Sequence, residues 1–302
     1  MQVQDAFIEL RQNLSALYDN RESDLIAQWV IEHLTGLSRS ARLIHKTDSL
    51  TAEQESNFHS FQKELLQSRP VQYVLGEVWF SGMKFYVDER VLIPRPETEE
   101  LVEEVNREIE NRILKVESEE PGRRSNSEGG PTAVLDIGTG SGCIPISLKK
   151  KKPGWDIWAV DLSEGALEVA RQNAKNLGAE IHFAKVDILN ADSRASLPVF
   201  DMIVSNPPYI PLKDKEEMRE NVLLHEPHLA LFVSDDDPLI FYRAIIDFAH
   251  DHLKPSGSLF FEIHERLAEQ VLSLLSANHY RQIMLKQDLQ GKDRMISAVK
   301  SP

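Results

Sequence analysis

The sequence has little of three features that would each place it in a particular class of protein. It contains one cysteine, Cys143, among 302 residues, so no intrachain disulfide can form and a reducing compartment is expected. No stretch approaches the long uncharged apolar run that a membrane-spanning helix needs. The first residues lack the basic start and apolar centre of a secretory signal peptide. These absences predict a cytoplasmic protein without a membrane partner.

Positively charged residues are too few for a general nucleic-acid binder. The chain has 34 lysines and arginines against 48 aspartates and glutamates, which gives a net charge of −14. Proteins that bind nucleic acid normally carry a basic stripe that neutralises phosphates. We therefore expect no stable nucleic-acid binding. The length alone predicts about two domains.

The pattern of apolar residues divides the chain into segments. Apolar side chains recur at helical spacing through residues 1–70, which predicts a small all-α domain that holds a partner or substrate. β-prone residues with two glycines predict a β-hairpin linker over 71–91. Residues 92–302 then form the second, α/β domain. Within it, residues 117–132 have the composition of a flexible loop, to which we assign no function.

A nucleotide-type site is predicted at the start of the α/β domain. An apolar strand, Ala133–Ile137, runs into a glycine-rich turn, and a helix follows. Glycines at such a turn let a ligand approach the backbone closely. A second strand ends about twenty residues later at Asp161, whose carboxylate can accept both ribose hydroxyls of an adenosine. The turn residues are Gly138, Thr139, Gly140, Ser141 and Gly142.

Three observations narrow the choice of adenosine ligand. Cys143 stands where a dinucleotide fingerprint has Gly or Ala, and no Gly-Lys-Ser/Thr follows the turn, so neither NAD nor a P-loop nucleotide is favoured. Asp136 would repel a pyrophosphate but could lie near a cation, orient the loop, or cap the strand end. S-adenosylmethionine, which carries a sulfonium and an ammonium group, fits better. A third strand ends at Asp187 and Ile188, which are placed to meet the adenine amino group and the adenine face.

The sequence Asn206-Pro207-Pro208-Tyr209 ends a fourth apolar strand abruptly. The prolines stop the strand and stiffen the loop at its carboxyl end, where open α/β sheets bind ligands. The Asn206 amide oxygen and the Pro207 carbonyl can converge as acceptors for one planar NH₂ group. Tyr209 can stack on the flat group that carries it. The alternative is an ordinary rigid turn after a core strand.

Two further clusters leave alternatives open. Arg95 lies between two prolines just before an acidic helix, and it is either a surface charge or a residue at a substrate entrance. Glu97 suits the first turn of that helix by its charge alone. His225 and His228 have a spacing found in metal sites, but Pro227 breaks any helix between them, so we predict no metal.

Together, the glycine turn, Asp161 and the Asn206–Tyr209 sequence resemble class I S-adenosylmethionine-dependent methyltransferases that act on planar amino groups. The stretch Leu92-Ile93-Pro94-Arg95-Pro96-Glu97-Thr98-Glu99, the preceding Leu75-Gly76 and the helical N-terminus add specificity. With them the chain resembles, over nearly its whole length, the peptide chain release factor glutamine N5-methyltransferases.

The resemblance implies a fold and an activity. The fold is a doubly wound, mostly parallel seven-stranded sheet with a small all-α N-terminal domain. The substrate is the glutamine of the Gly-Gly-Gln motif of release factors, methylated on its side-chain amide nitrogen with S-adenosylmethionine. The implied catalytic residues are Asn206, Pro207 and Tyr209, and the implied substrate-binding residues are these three together with Pro208. The implied cofactor contacts are Gly138, Thr139, Gly140, Ser141, Gly142, Asp161, Ile188 and Asn206.

The sequence departs from the family at a few positions. The family often has a large aromatic residue where Ile188 stands. It also usually has glycines near 233–235, and a Gly and a Gln near His264 and Glu265. Two alternatives remain: an amino methyltransferase for a nucleic-acid base or another protein glutamine, and a non-catalytic binding module. The binding module would be expected to have a broken glycine turn or a replaced Asn206.

Overall fold

The structure is a computed structural model that describes residues 1–119 and 132–302. Contacts divide the chain into two compact units. The first comprises Met1–Glu77 and Met218–Glu226, and the second comprises Val78–Glu217 and Pro227–Pro302. No helix among the described residues is long and apolar enough to cross a membrane. The division into domains 1–70 and 92–302 stays a prediction.

The helices and strands follow the chain in a mixed order. The helices are α1 Val3–Leu14, α2 Asn20–Thr35, α3 Arg39–Ile44, α4 Ala52–Leu65, α5 Val71–Leu75, α6 Pro96–Glu119, α7 Cys143–Lys151, α8 Glu164–Leu177, α9 Ala191–Arg194, α10 Glu220–His225, α11 His228–Leu231, α12 Ile240–His252 and α13 Ala268–Ala277. The strands are β1 Val78–Phe80, β2 Met83–Phe85, β3 Ala133–Ile137, β4 Asp156–Asp161, β5 His182–Lys185, β6 Phe200–Ser205, β7 Ile210–Pro211, β8 Phe232–Val233, β9 Leu253–Glu262, β10 Tyr280–Gln287 and β11 Asp293–Lys300.

Helices α1 to α5 and α10 belong to the first unit, as the apolar spacing of its N-terminal part predicts. Helix α4 begins with a capping box, in which Thr51 and Gln54 form reciprocal hydrogen bonds. The guanidinium of the buried Arg42 lies over the Phe7 ring and donates to the Gln28 side chain. The hydrogen bond is needed because a buried charge is tolerated only when it is hydrogen-bonded. The two contacts of Arg42 also help to hold these helices around one apolar core.

The hairpin predicted over residues 71–91 is shorter than expected. Residues 71–75 form helix α5, and only β1 and β2 pair as a hairpin. The β-prone character of Val71 and Val74 is overridden because both pack, three residues apart, into the core of the first unit. Gly76 ends the helix in the left-handed conformation, with φ 65°.

Residues 220–228 contain helix α10, which ends before Pro227. One predicted loop also needs correction. Residues 117–119 of the flexible loop predicted over 117–132 belong instead to α6, which continues to Glu119. Glutamate is a good helix former, which explains the continuation. Residues 120–131 of that prediction lie outside the described residues.

The second unit contains the predicted seven-stranded, mostly parallel sheet. Its strand order is β10-β11-β9-β6-β3-β4-β5. The five strands from β9 to β5 are parallel, while β11 and β10 are antiparallel additions at one edge. The carboxyl ends of β6, β3, β4 and β5 therefore lie side by side, at the edge of the sheet where ligands bind in α/β folds.

Helices cover both faces of this sheet. Alternate residues of β3 face opposite sides: Val134 packs with α6 and α7, whereas Leu135 packs with α12 and α13. This period of two, with both faces buried, explains why the strand reads as a continuous apolar run. Asp136 shares the face of Val134 by this alternation, and it interrupts an otherwise apolar strand.

Candidate active site

A cavity of about 240 Å³ lies at the carboxyl ends of β3, β4, β5 and β6. It brings together residues from four strands that the sequence analysis singled out separately. Those that line it are Gly138, Gly140, Asp161, Asp187, Ile188, Asn206, Pro207 and Pro208. An adenosine ligand and an amino group held by Asn206 could therefore meet in this cavity.

The glycine turn shapes one wall of the cavity. Gly138 and Gly140 have positive φ angles, and a side chain at either would meet open space. Gly142, with φ 80°, is different because a Cβ there would lie 3.1 Å from Ile146 and 3.2 Å from Ala170. Thr139 and Ser141 are buried and do not line the cavity. The turn therefore offers mainly its backbone to a ligand.

Asp161 connects the second strand to this turn. Its Oδ2 accepts the Gly140 N–H at 2.9 Å, and its Oδ1 accepts the Ser163 N–H at 2.9 Å. Burial raises the pKa of Asp161, and these N–H donors lower it. The carboxylate is thus held at the cavity wall with lone pairs left for further donors.

The side chain of Asn173 on α8 fixes the turn from behind. Its Oδ1 accepts the Tyr86 N–H at 2.7 Å, and its Nδ2 donates to the carbonyls of Tyr86 and Ser141, each at 2.9 Å. This residue was not predicted from the sequence. The available signal was a polar side chain on the otherwise apolar face of α8.

We expect Asn173→Ala to lower the free energy of unfolding by about 3 kcal/mol, since it removes three hydrogen bonds and leaves buried backbone groups unpaired. It should also weaken binding of S-adenosylmethionine, because the Ser141 carbonyl loses its anchor. Urea unfolding and calorimetric titration measure the two effects. Asn176→Ala, an exposed change on the same helix, should alter stability by less than about 0.5 kcal/mol. Equal effects of the two substitutions would contradict this role.

Asp136 is fully buried next to the turn, and neither of its carboxylate oxygens has a hydrogen-bond partner among the residues that the structure describes. Burial raises the pKa of Asp136 to about 7, with Thr139 lowering it and Asp161 raising it. An unpaired buried carboxylate is costly unless a ligand supplies a cation or a donor. This observation fits a cationic cofactor.

The raised pKa of Asp136 has a consequence for stability. The folded protein keeps a proton on Asp136 that the unfolded chain releases near pH 4. The contribution of this protonation to the free energy of unfolding is therefore present at acid pH and is lost as pH rises toward 7. Asp136→Asn cannot ionise, and without ligand it should be more stable than wild type at pH 8 by up to about 4 kcal/mol. Thermal unfolding between pH 4 and 8 measures the difference. Parallel curves for both proteins would rule out this titration.

Asn206 follows β6 and lies at the cavity. Its Nδ2 donates to Thr98 Oγ1 at 3.1 Å, and the Thr98 hydroxyl donates to Glu262 Oε2 at 2.7 Å. The Tyr209 hydroxyl donates to Glu262 Oε1 at 3.2 Å. Glu262 is 1% exposed, and burial raises its pKa while the Thr98 bond, Arg294 and Tyr209 lower it. One buried carboxylate therefore connects two residues of the Asn206–Tyr209 sequence.

Sequence reasoning missed the roles of Thr98 and Glu262. Thr98 lay inside the quoted Leu92–Glu99 stretch, and Glu262 is a charged residue at the end of a buried strand, which was the available signal. Tyr209 is directed to Glu262 and does not line the cavity. Burial and Glu262 raise the pKa of Tyr209, and Arg95 lies close enough to lower it.

Comparisons with known proteins agree on one family. The Methyltransferase small domain family matches residues 126–287, and the PrmC N-terminal domain family matches residues 5–76. The release factor glutamine methyltransferase of Flavobacterium psychrophilum is 40% identical over 94% of both chains. Those of Bacteroides thetaiotaomicron and Streptococcus pneumoniae are 37% and 39% identical over 96% and 94% of this chain, and over 97% of each relative.

The chain belongs to the release factor glutamine methyltransferase family. Members of this family are S-adenosylmethionine-dependent protein methyltransferases. The fold is also found outside the family: the hMettl16 catalytic domain, in complex with an RNA hairpin, has a TM-score of 0.51 at 15% identity over 84% of each chain.

His264 lies next to the Asn206–Tyr209 sequence. It packs its ring edge-on against Tyr209, with centroids 5.8 Å apart. Its Nδ1 accepts the Arg266 N–H at 3.1 Å. No group of three or more His, Cys, Asp or Glu side chains is placed to hold a metal in the part of the chain that the structure describes.

Proposed function

We propose that this protein transfers the methyl group of S-adenosylmethionine to the side-chain amide nitrogen, N5, of the glutamine in the Gly-Gly-Gln motif of peptide chain release factors. The observation that carries the proposal is the Asn206 amide. It lies in the wall of the cofactor-type cavity, and its Nδ2 is already bound to Thr98. Its Oδ1 has no hydrogen-bond donor among the described residues, so it is available to an amide NH₂.

The residues that line the cavity fit the cofactor. Asp161 would accept the ribose hydroxyls, and Asp187 and Ile188 would meet the adenine. Asp136 does not line the cavity, but its orphaned carboxylate is buried next to the glycine turn and would suit the positive charge of the methionine part. When bound, S-adenosylmethionine supplies a methyl group on a sulfonium, which is an activated leaving group.

The protein's own contribution is positioning. An amide nitrogen is a poor nucleophile because its lone pair is conjugated with the carbonyl. We propose that Asn206 Oδ1 and the Pro207 carbonyl accept both N–H groups of the substrate amide, which raises the electron density on nitrogen and aims its lone pair at the methyl group. Tyr209 does not line the cavity, so it would pack against the amide plane from outside the cavity wall. Orientation and fixed dipoles are the catalytic effects expected here, and the nitrogen loses its proton after transfer.

The helical unit is proposed to hold the release factor. Its residues 5–76 match the PrmC N-terminal domain family. Leu25 and Trp29 lie one turn apart on α2 and are both exposed, which suits contact with a protein surface. Because release factors act in translation, we propose the cytoplasm as the compartment. We assign no role to residues 120–131.

Methyl transfer from labelled S-adenosylmethionine tests the function. Purified release factor, its variant with the loop glutamine changed to alanine, an unrelated glutamine-rich protein, duplex DNA and an RNA hairpin are offered side by side. We expect label on the intact release factor and none on the variant. Label on nucleic acid or on the unrelated protein would overturn the substrate while leaving the fold and cofactor in place.

A further inference from the structure

Behind the substrate-facing side of Asn206 lies a row of three hydrogen-bonded side chains. Asn206 Nδ2 donates to Thr98 at 3.1 Å, and Thr98 donates to Glu262 at 2.7 Å. Thr98 and Glu262 are 3% and 1% exposed, so water does not replace these bonds. Neither residue lines the cavity. Their contact with the reaction is therefore indirect, through Asn206.

The direction of these hydrogen bonds follows from the number of protons available. Glu262 as a carboxylate only accepts, and a threonine hydroxyl has a single proton to donate. Once that proton is given to Glu262, the Thr98 oxygen can only accept, and the Asn206 group that can serve it is the NH₂. The opposite end of the amide, Oδ1, is then left for the substrate.

A reversed Asn206 would be inactive for a simple reason. If Thr98 were free to donate, Asn206 could turn by 180° about its last bond and present Nδ2 to the substrate. Two NH₂ groups would then face each other, and neither can accept a hydrogen bond. The reaction therefore requires the orientation in which Oδ1 faces the substrate. Asn206 alone does not ensure that orientation.

We propose that Thr98 and Glu262 are positioning residues that fix the orientation of the Asn206 amide, so that Oδ1 faces the acceptor NH₂. This inference rests on the proposed role of Asn206. The Tyr209 hydroxyl donates to the other oxygen of Glu262. The same carboxylate thereby holds Tyr209 in place.

The main test compares two substitutions of one residue. Thr98→Val keeps the shape and removes the hydroxyl, and it should lower kcat about 10- to 100-fold, the usual effect of losing a supporting partner. Thr98→Ser keeps the hydroxyl and should stay within about 3-fold of wild type by the same reasoning. The KM for S-adenosylmethionine should change little in either variant, since Thr98 does not line the cavity.

Substitutions of Glu262 test the other end of the row. Glu262→Leu should lower kcat as Thr98→Val does, and Glu262→Gln, which can still accept from Thr98, should restore part of the activity. The double variant Thr98→Val with Glu262→Leu should be no slower than the worse single variant, because both break one row. Tyr242→Phe is the matched control: it removes a buried 3.1 Å bond to the Glu262 backbone carbonyl and should leave kcat unchanged.

The outcomes separate this inference from the proposed function. The variants are measured on whichever acceptor the wild-type protein labels, so a wrong substrate would overturn the function and still allow this comparison. Thermal unfolding checks each variant, and the Thr98 pair decides the question if Glu262→Leu does not fold. The inference is overturned if Thr98→Val retains kcat within about 2-fold, if Thr98→Ser is equally impaired, or if the two single effects multiply.

Discussion

Asn206→Ala is expected to reduce kcat for methyl transfer to a release factor by at least about 100-fold, the scale seen when one preorganised polar group of an active site is removed. The substitution deletes the Oδ1 acceptor and also frees the Thr98 hydroxyl. The amide of the substrate would then keep its conjugated lone pair and lose its orientation. Steady-state transfer of labelled methyl groups measures the effect.

The control for this prediction is another asparagine. Asn278→Ala, at the exposed end of α13, should retain full activity. The Asn206 variant should unfold at nearly the same temperature as wild type, because its side chain is only partly buried. A variant that kept more than a tenth of wild-type kcat would show that Asn206 does not hold the substrate amide.

Asp161→Ala is expected to weaken S-adenosylmethionine binding by about 100-fold. The loss of two hydrogen bonds to a charged group lowers the binding free energy by about 3 kcal/mol, which corresponds to roughly a 100-fold loss of affinity. The reason is twofold: the proposed ribose acceptor disappears, and the Gly140 N–H loses its partner, so the turn is no longer held at the cavity wall. Isothermal titration calorimetry without release factor measures the affinity directly.

The matched substitution for this second prediction is Asp236→Ala, in an exposed turn, which should leave the affinity unchanged. S-adenosylhomocysteine should lose affinity for the Asp161 variant by a similar factor, since it carries the same ribose. If the affinity for both ligands stayed within about 3-fold of wild type, Asp161 would have no part in holding the ribose. The loss of hydrogen bonds between its charged carboxylate and the ribose should lower the affinity by more than about 3-fold.

Local patterns were sufficient to predict most of the sheet and the cavity residues. The glycine turn, Asp161, Ile188 and Asn206 each follow an apolar strand, and parallel strands end at one edge. Where local propensity was the only guide, the prediction was wrong. Val71–Leu75 looked β-prone, yet it forms a helix, because burial of Val71 and Val74 in the core outweighed propensity.

The supporting contacts could not be predicted in the same way. Tyr86 and Asn173 are 87 residues apart, and Thr98 and Glu262 are 164 residues apart. No periodicity or spacing connects such positions, because each pair is brought together by helix and strand packing. In the sequence, Asn173 and Glu262 are recognisable only as polar residues in apolar surroundings. Such a residue is expected to have a hydrogen-bond partner, but the sequence does not identify that partner.

By itself, the sequence determined most strands of the large sheet, the glycine turn, and the presence of Asp161 and Asn206 at strand ends, because these depend on neighbours in the chain. Only the tertiary structure decided that residues 71–75 form a helix, which way the Asn206 amide faces and which carboxylate stays unpaired. The last two properties depend on the burial of groups such as Thr98, Glu262 and Asp136. Burial removes the water that would otherwise satisfy each group, so the remaining partners fix the geometry of the site.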